Sequence, residues 1–257
     1  MNRFRKKWGL LFKVLIISTG LMALKGGLDL LSFHVIIASG EWPRAVSALV
    51  GGVIFTIAII FSGVLADYKE SEKIPGELAG SIKALYNDCK VIPFSDKQRA
   101  EELCSNIRKL LSAINANFKA NVWELKEINA AMDAINDDIG RLAEKGMAPQ
   151  FVVKLRTELM NIDKISNRIK TVTETTFIPA AYGLAELAVV AILVLLLFIR
   201  IEPYYGGLAI IGATSVLLIG ILMLISDMDN PFEVNKNTYA DVDLSLLWNL
   251  EEELKTE

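Results

Sequence analysis

AVSALVGGVIFTIAIIFSGVLA, residues 45–66, followed by DYKESEKIPGEL, residues 67–78, decides the architecture of this chain. No ionisable residue interrupts the first segment between Ala45 and Ala66. As a helix it rises about 33 Å, enough to cross the roughly 30 Å hydrocarbon core of a bilayer. At Asp67 the apolar run passes into a charged segment of helical character. The expectation is a membrane helix that continues into a helical body outside the membrane.

Three further apolar blocks flank this one: 8–24, 178–199 and 206–226. The 257 residues are 53% hydrophobic, with a mean hydropathy of +0.40, and the apolar residues are grouped rather than spread. Blocks this long read as membrane spans. The first follows the basic start MNRFRKK, a pattern shared with signal peptides. No small-x-small cleavage site comes after it, so it reads as a retained span. The fold class expected is an all-α integral membrane protein with four transmembrane helices and a large helical cytosolic region between spans two and three. Its parts are 1–66 (basic segment, spans one and two), 67–176 (cytosolic helices), 177–227 (spans three and four) and 228–257 (a cytosolic tail).

Basic residues orient the spans. Arg3, Arg5, Lys6 and Lys7 precede span one, and Lys69, Lys73, Lys83, Lys164, Arg168 and Lys170 lie between spans two and three. The two short connections carry only Arg44 and Arg200. Both termini and the central region are therefore expected in the cytoplasm, with the protein in the cell membrane.

In the central region, Ile74-Pro75-Gly76 is expected to break or kink the helix leaving span two. Leu78, Ile82, Leu85 and Cys89 then recur at helical spacing, and Pro93 ends that run. Residues 96–145 read as one long amphipathic helix, with apolar positions from Leu103 to Leu142, and a further helix runs from about 150 to 176. YADVDLSLLWNLEEEL, near the end, suits a last short helix. Cys89 and Cys104 make no disulfide framework, and a cytosolic setting would keep both reduced.

Particular residues carry two readings each. Phe55 and Ile59 lie one turn apart on span two, as a packing pair or as a pore constriction. Lys25 and Asp29, one turn apart at the far end of span one, either pair with each other or line a vestibule. Glu186 is an ionisable group well inside an apolar block. Such a carboxylate is costly in lipid unless it meets a partner or water. It is either functional or an interfacial packing carboxylate. Gly51, Gly52, Gly63, Gly212 and Gly220 let helices approach closely.

Several classes are excluded. The net charge of −3 argues against a nucleic-acid surface, and a single histidine argues against His-rich metal sites and a Ser-His-Asp triad. There is no P-loop, GxGxxG, HExxH, CxxC or GxSxG. No enzyme activity, metal or cofactor is expected.

Two stretches carry a family resemblance. FTIAIIFSGVLADYKESEKIPGEL resembles the bestrophin segment in which a pore helix runs into an E-x-x-K-x-x-G-E frame, here Glu70, Lys73, Gly76 and Glu77. DNPFE, from Asp229 through Asn230, Pro231 and Phe232 to Glu233, resembles the N-P-F-G motif after the last bestrophin span. The bestrophin-like domain family of microbes and plants is closer in the stretch ISNRIKTVTETTFIP before span three and in its D-x-P-F ending. The resemblance implies a homo-oligomer, pentameric in bestrophins, set in membrane lipid and passing anions such as chloride. It implies a hydrophobic neck on span two, with Phe55 and Ile59 at neck positions. The chain departs from the pattern in three ways. The third neck level falls at Gly51, which is too small. Val234, Asn235 and Lys236 replace the acidic calcium-binding run. The arginine and tryptophans before the E-x-x-K frame are missing. The alternative reading is a non-conducting membrane scaffold or sensor whose cytosolic helices bind a partner.

Overall fold

A computed structural model of the chain describes residues 3–31, 36–37, 42–91, 97–174, 179–234 and 239–256. His34 lies outside them. The chain divides into two compact units. The first holds Met1–Tyr68, Thr176–Asp229 and Asn237–Ala240; the second holds Lys69–Thr175, Asn230–Lys236 and Asp241–Glu257.

The first unit is built on α1 (Arg3–Leu30), α2 (Trp42–Ser71, whose last turn belongs to the second unit), α7 (Pro179–Phe198) and α8 (Tyr204–Met228). Four helical stretches, one for each apolar block, are long and apolar enough to cross a membrane. This is a multi-pass membrane protein. Both α1 and α2 exceed their apolar blocks. Trp42, Pro43 and Arg44, expected in the connection, form the first turn of α2, where proline's missing N–H costs nothing. A short parallel pair, β1 (Ile36–Ile37) with β2 (Ile199–Arg200), ties the stretch before α2 to the end of α7. No alternation in the sequence announces it.

Close packing of α1 on α8 follows Gly212 and Gly220, whereas Gly51 and Gly52, also expected at helix contacts, have nothing within 4 Å of a built Cβ. α1 lies against α8, and α7 touches both. A Cβ built on Gly212 would stand 2.7 Å from Met22 Sδ, and one on Gly220 would stand 3.7 Å from Val14 Cγ1. Lipid tails are as apolar as leucine, so helix association here rests on this fit and on buried polar contacts rather than on water exclusion. The main polar contact is Lys25, fully buried. Its Nζ donates to Asp29 Oδ1 (2.8 Å) and to the carbonyls of Leu197 (3.2 Å) and Ile199. The pairing reading of Lys25 and Asp29 holds. In addition, the ammonium satisfies the Leu197 carbonyl, which the last turn of α7 leaves without an intrahelical partner, and the Ile199 carbonyl just beyond the helix.

In the second unit α3 (Ile74–Val91), α4 (Lys97–Ala120), α5 (Leu125–Glu144) and α6 (Pro149–Glu174) pack in a closed cycle, each against the next and α6 against α3. The break after α2 falls at Glu72–Lys73, just before Ile74-Pro75-Gly76, and Pro75 sits in the first turn of α3. The single helix expected over 96–145 is two helices. Asn121 takes a positive φ of 53°, and its neighbour Asn117 donates from Nδ2 to Glu124 O (2.7 Å). Phe118 and Trp123 are five residues apart, a step that one continuous helix face cannot absorb. Breaking the helix lets both rings go inward, with centroids 4.7 Å apart, and Trp123 Nε1 donates to Ser166 O (2.9 Å).

Cys89 and Cys104, expected as separate thiols, form a disulfide with Cα atoms 6.2 Å apart. Both lie on the buried faces of α3 and α4, which pack together, and this separation is normal for the bond. α9 (Ser245–Thr256) closes the unit against α3 and α4, burying Leu247, Leu250 and Leu254.

Candidate functional site

α2 is sided within its own unit. Val46, Ile57, Ile60 and Val64 are buried in the core. Ala48, Gly52, Phe55, Ile59, Ser62 and Ala66 follow at three- and four-residue steps and are all exposed. Phe55 is 68% exposed and Ile59 58% exposed, so neither packs inside its own chain. Gly51 and Gly52 have open space around them, with nothing within 4 Å of a built Cβ. The face is apolar, apart from the Thr56 and Ser62 hydroxyls, and Thr56 Oγ1 spends its proton on Gly52 O (3.0 Å). It therefore offers bulk and no fixed charge.

Glu186 lies on the outward side of α7 with Gly183, Leu187 and Val190, all exposed. Phe55 and Ile59 stand on a different helix, α2.

The residues of the E-x-x-K-x-x-G-E frame form the joint between α2 and α3 in the second unit. Glu70 pairs with Arg168 of α6. Lys73 N donates to Glu70 O (3.2 Å) and Glu77 N to Lys73 O (3.0 Å), which closes the turn. Glu77 stands in the first turn of α3, where a carboxylate complements the helix dipole. Gly76 is exposed and its Cβ position is in ordinary contact with Leu246. The frame is thus an ion-paired corner, with Lys73 facing solvent.

The Asp229–Phe232 stretch begins where α8 ends. Asp229 caps α8 with its N–H on Ile225 O. Asn230, Pro231 and Phe232 belong to the second unit. Phe232 is 4% exposed, with its ring centroid 5.8 Å from that of Phe118. Asn121 holds Val234 by both backbone groups: its Nδ2 donates to Val234 O (2.9 Å), and its Oδ1 accepts from Val234 N. Val242 N donates to Pro231 O (2.8 Å). The motif is therefore a peg seated in the socket that the α4–α5 break creates. Asn121 and Trp123 are socket residues that the sequence reasoning missed; the five-residue step from Phe118 to Trp123 was the available signal. A cleft of ≈ 360 Å³ opens beside the socket, bordered by Asn121, Glu124, Glu174, Asn230 and Glu233 among others. Among the described residues no group of three or more His, Cys, Asp or Glu is arranged to hold a metal.

α9 is anchored by a second network. Asn115 Nδ2, fully buried on α4, donates to Leu247 O (3.2 Å) and Glu251 Oε2 (2.9 Å). Lys255 Nζ donates to Glu251 Oε1 (2.8 Å), and Lys119 lies 3.5 Å from Oε2. Burial works against the charge on Glu251, but the hydrogen bonds from Lys255 and Asn115 and the charge of Lys119 outweigh it. Its carboxyl is held below the usual carboxylate range.

The sequence matches no protein-family model. It also matches no curated protein. Its structure, however, is similar to a bacterial bestrophin homologue from Klebsiella pneumoniae: TM-score 0.73 at 14% identity, covering 96% of each chain. Two single-substitution variants of a bestrophin homologue from the same organism match with TM-score 0.73 and 14% identity over 97% and 98% of each chain. The chain has a bestrophin-like fold.

Proposed function

We propose that this chain is the subunit of a homo-oligomeric anion channel, pentameric if it follows bestrophins, with chloride as a permeant ion. α2 lines the axis, and Phe55 and Ile59 form its apolar constriction. The observation that carries this reading is the unpartnered row on α2. Two large apolar side chains one turn apart are exposed in a single subunit of a bestrophin-like fold. Copies arranged about an axis would turn that row inward. An apolar ring can gate by dewetting, while helix dipoles and backbone groups along the path favour the anion. The open space at Gly51 and Gly52 makes the level beyond Phe55 wide, so the constriction has two rings. The basic-residue pattern supports a cytoplasmic position for 67–176 and the 228–257 tail together with both termini. There the burial of Cys89 and Cys104 shields the disulfide from thiols.

One ground for the scaffold alternative is the apolar stripe from Leu103 to Leu142 as a partner surface; the other is the absence of a certain pore-lining polar set. Leu103, Ile107, Leu110, Ile114, Ile128, Ile135 and Ile139 are all 0% exposed, so that stripe is consumed within the unit. The channel reading is tested with purified protein in planar bilayers. Anion-selective current is expected, and Phe55→Ala or Ile59→Ala should raise unitary conductance. Silence of the parent and both variants across salt and pH would refute it.

A further inference from the structure

Glu186 has no ion-pair partner within its chain among the described residues, although it is well inside an apolar helix. Its depth can be read twice. Lys25 Nζ reaches the Leu197 and Ile199 carbonyls, so Lys25 and the end of α7 are level. Twelve residues back along α1 is Lys13; eleven to thirteen residues back along α7 is Glu186. At 1.5 Å per residue both lie about 18 Å from that level. The second reading runs through α8. Tyr182 Oη donates to Ile225 O (3.1 Å), and one turn further along α7 Glu186 falls near the level of Gly220. Gly220 packs on Val14, the neighbour of Lys13. The two registers agree: Lys13 and Glu186 share a depth.

Both side chains are exposed, on different helices. Lys13 is exposed beside Phe12 (66% exposed) and Ile16 (57%), with the Tyr239 ring 5.1 Å away. Glu186 is exposed between Leu184 (62%) and Leu187 (67%). The other basic side chains described in this unit are placed elsewhere. Lys25 is committed to Asp29, Arg200 pairs with Glu202, and Arg44 starts α2 at the end where β1 meets β2. Acyl chains supply no partner for a carboxylate, and phosphate headgroups repel it.

We infer that Glu186 pairs with Lys13 of an adjacent copy of this chain. The α7 face of one subunit and the α1 face of the next form a heterologous contact, the kind that closes a ring. Each face offers one charge set in apolar surface, at equal depth and of opposite sign. This rests on the homo-oligomer reading above and supplies its contact.

The test is the assembly state of the full chain in mild detergent, measured by mass. Glu186→Lys and Lys13→Glu should each weaken assembly by about tenfold or more, and the exchanged pair Lys13→Glu/Glu186→Lys should restore most of it. If both single variants assemble as the parent does, or if the exchange restores nothing, the inference is overturned. Where a reversed variant does not fold, Lys13→Cys and Glu186→Cys on separately tagged copies replace it. Oxidative cross-linking between tags is expected, and its absence in assembled protein overturns the pairing. A parent that assembles and conducts regardless of these changes leaves the channel reading intact without this contact. A parent that assembles through this pair yet passes no current removes the channel reading alone. A parent that runs as a single subunit removes both.

Discussion

Replacing Lys25 with methionine keeps the aliphatic stem and deletes the charge, and the structure allows the cost to be worked out. The ammonium has three acceptors: Asp29 Oδ1 and the carbonyls of Leu197 and Ile199. Removing one partner of a buried ion pair costs about 3–5 kcal/mol, because the other charge is stranded. Asp29 keeps 13% exposure and can recover some solvation, which puts this part near the lower end, about 3 kcal/mol. The two carbonyls lose a donor at the end of α7, adding about 1–2 kcal/mol together. Lys25→Met should therefore cost about 4 kcal/mol. Lys25→Met/Asp29→Leu removes the stranded carboxylate and should recover about 2–3 kcal/mol, a coupling of the size expected for contacting groups. Reversible unfolding by sodium dodecyl sulfate in mixed micelles, followed by helicity, measures all three proteins. A single variant within about 1 kcal/mol of the parent would show that the buried ammonium holds nothing that matters. A double variant as unstable as the single one would place the loss in the carbonyls instead.

Three other perturbations follow from the packing. Gly212→Ala gains up to about 1 kcal/mol of helix propensity and asks Met22, a flexible side chain, to turn away, so it should be near neutral. Gly212→Leu should cost about 1–3 kcal/mol by wedging α1 from α8, with Met22→Ala partly rescuing it in the same unfolding assay. Phe232→Ala empties the socket against Phe118 and should cost about 3–5 kcal/mol, read as loss of tail protection in amide exchange. Glu251 titrates lower in the folded unit than its ordinary 4.5, so its ionised form favours docking of α9. That contribution is present above about pH 4.5 and is lost as pH falls through the lower folded value. Exchange protection of 245–256 should drop in acid, and Glu251→Gln should flatten the acid limb. An unchanged pH profile in the variant would rule out this carboxylate as the source.

The long apolar runs made four membrane helices legible, because a bilayer demands length and hydropathy and little else. The apolar spacing of α3 and α6 was equally plain, since a 3.6-residue period shows in any one strip of sequence, whereas α4 and α5 ran together as one helix. Phe55, Ile59 and Glu186 could be singled out by type and position, but not the side of the helix each faces. Their exposure depends on what the rest of the chain covers.

What belongs to the sequence alone is therefore local: which segments suit lipid, which turn to water, and where proline and charge stop a helix. What the tertiary structure decided is non-local. Lys25 clamps carbonyls 172 and 174 residues away, Asn115 grips a helix 132 and 136 residues further on, and Asn121 holds Val234, 113 residues distant. The α4–α5 break belongs with these, because two aromatic rings must share one core with Phe232. Such contacts leave no periodic mark, since each is a single meeting of two groups whose free energy exists only once the intervening helices have packed.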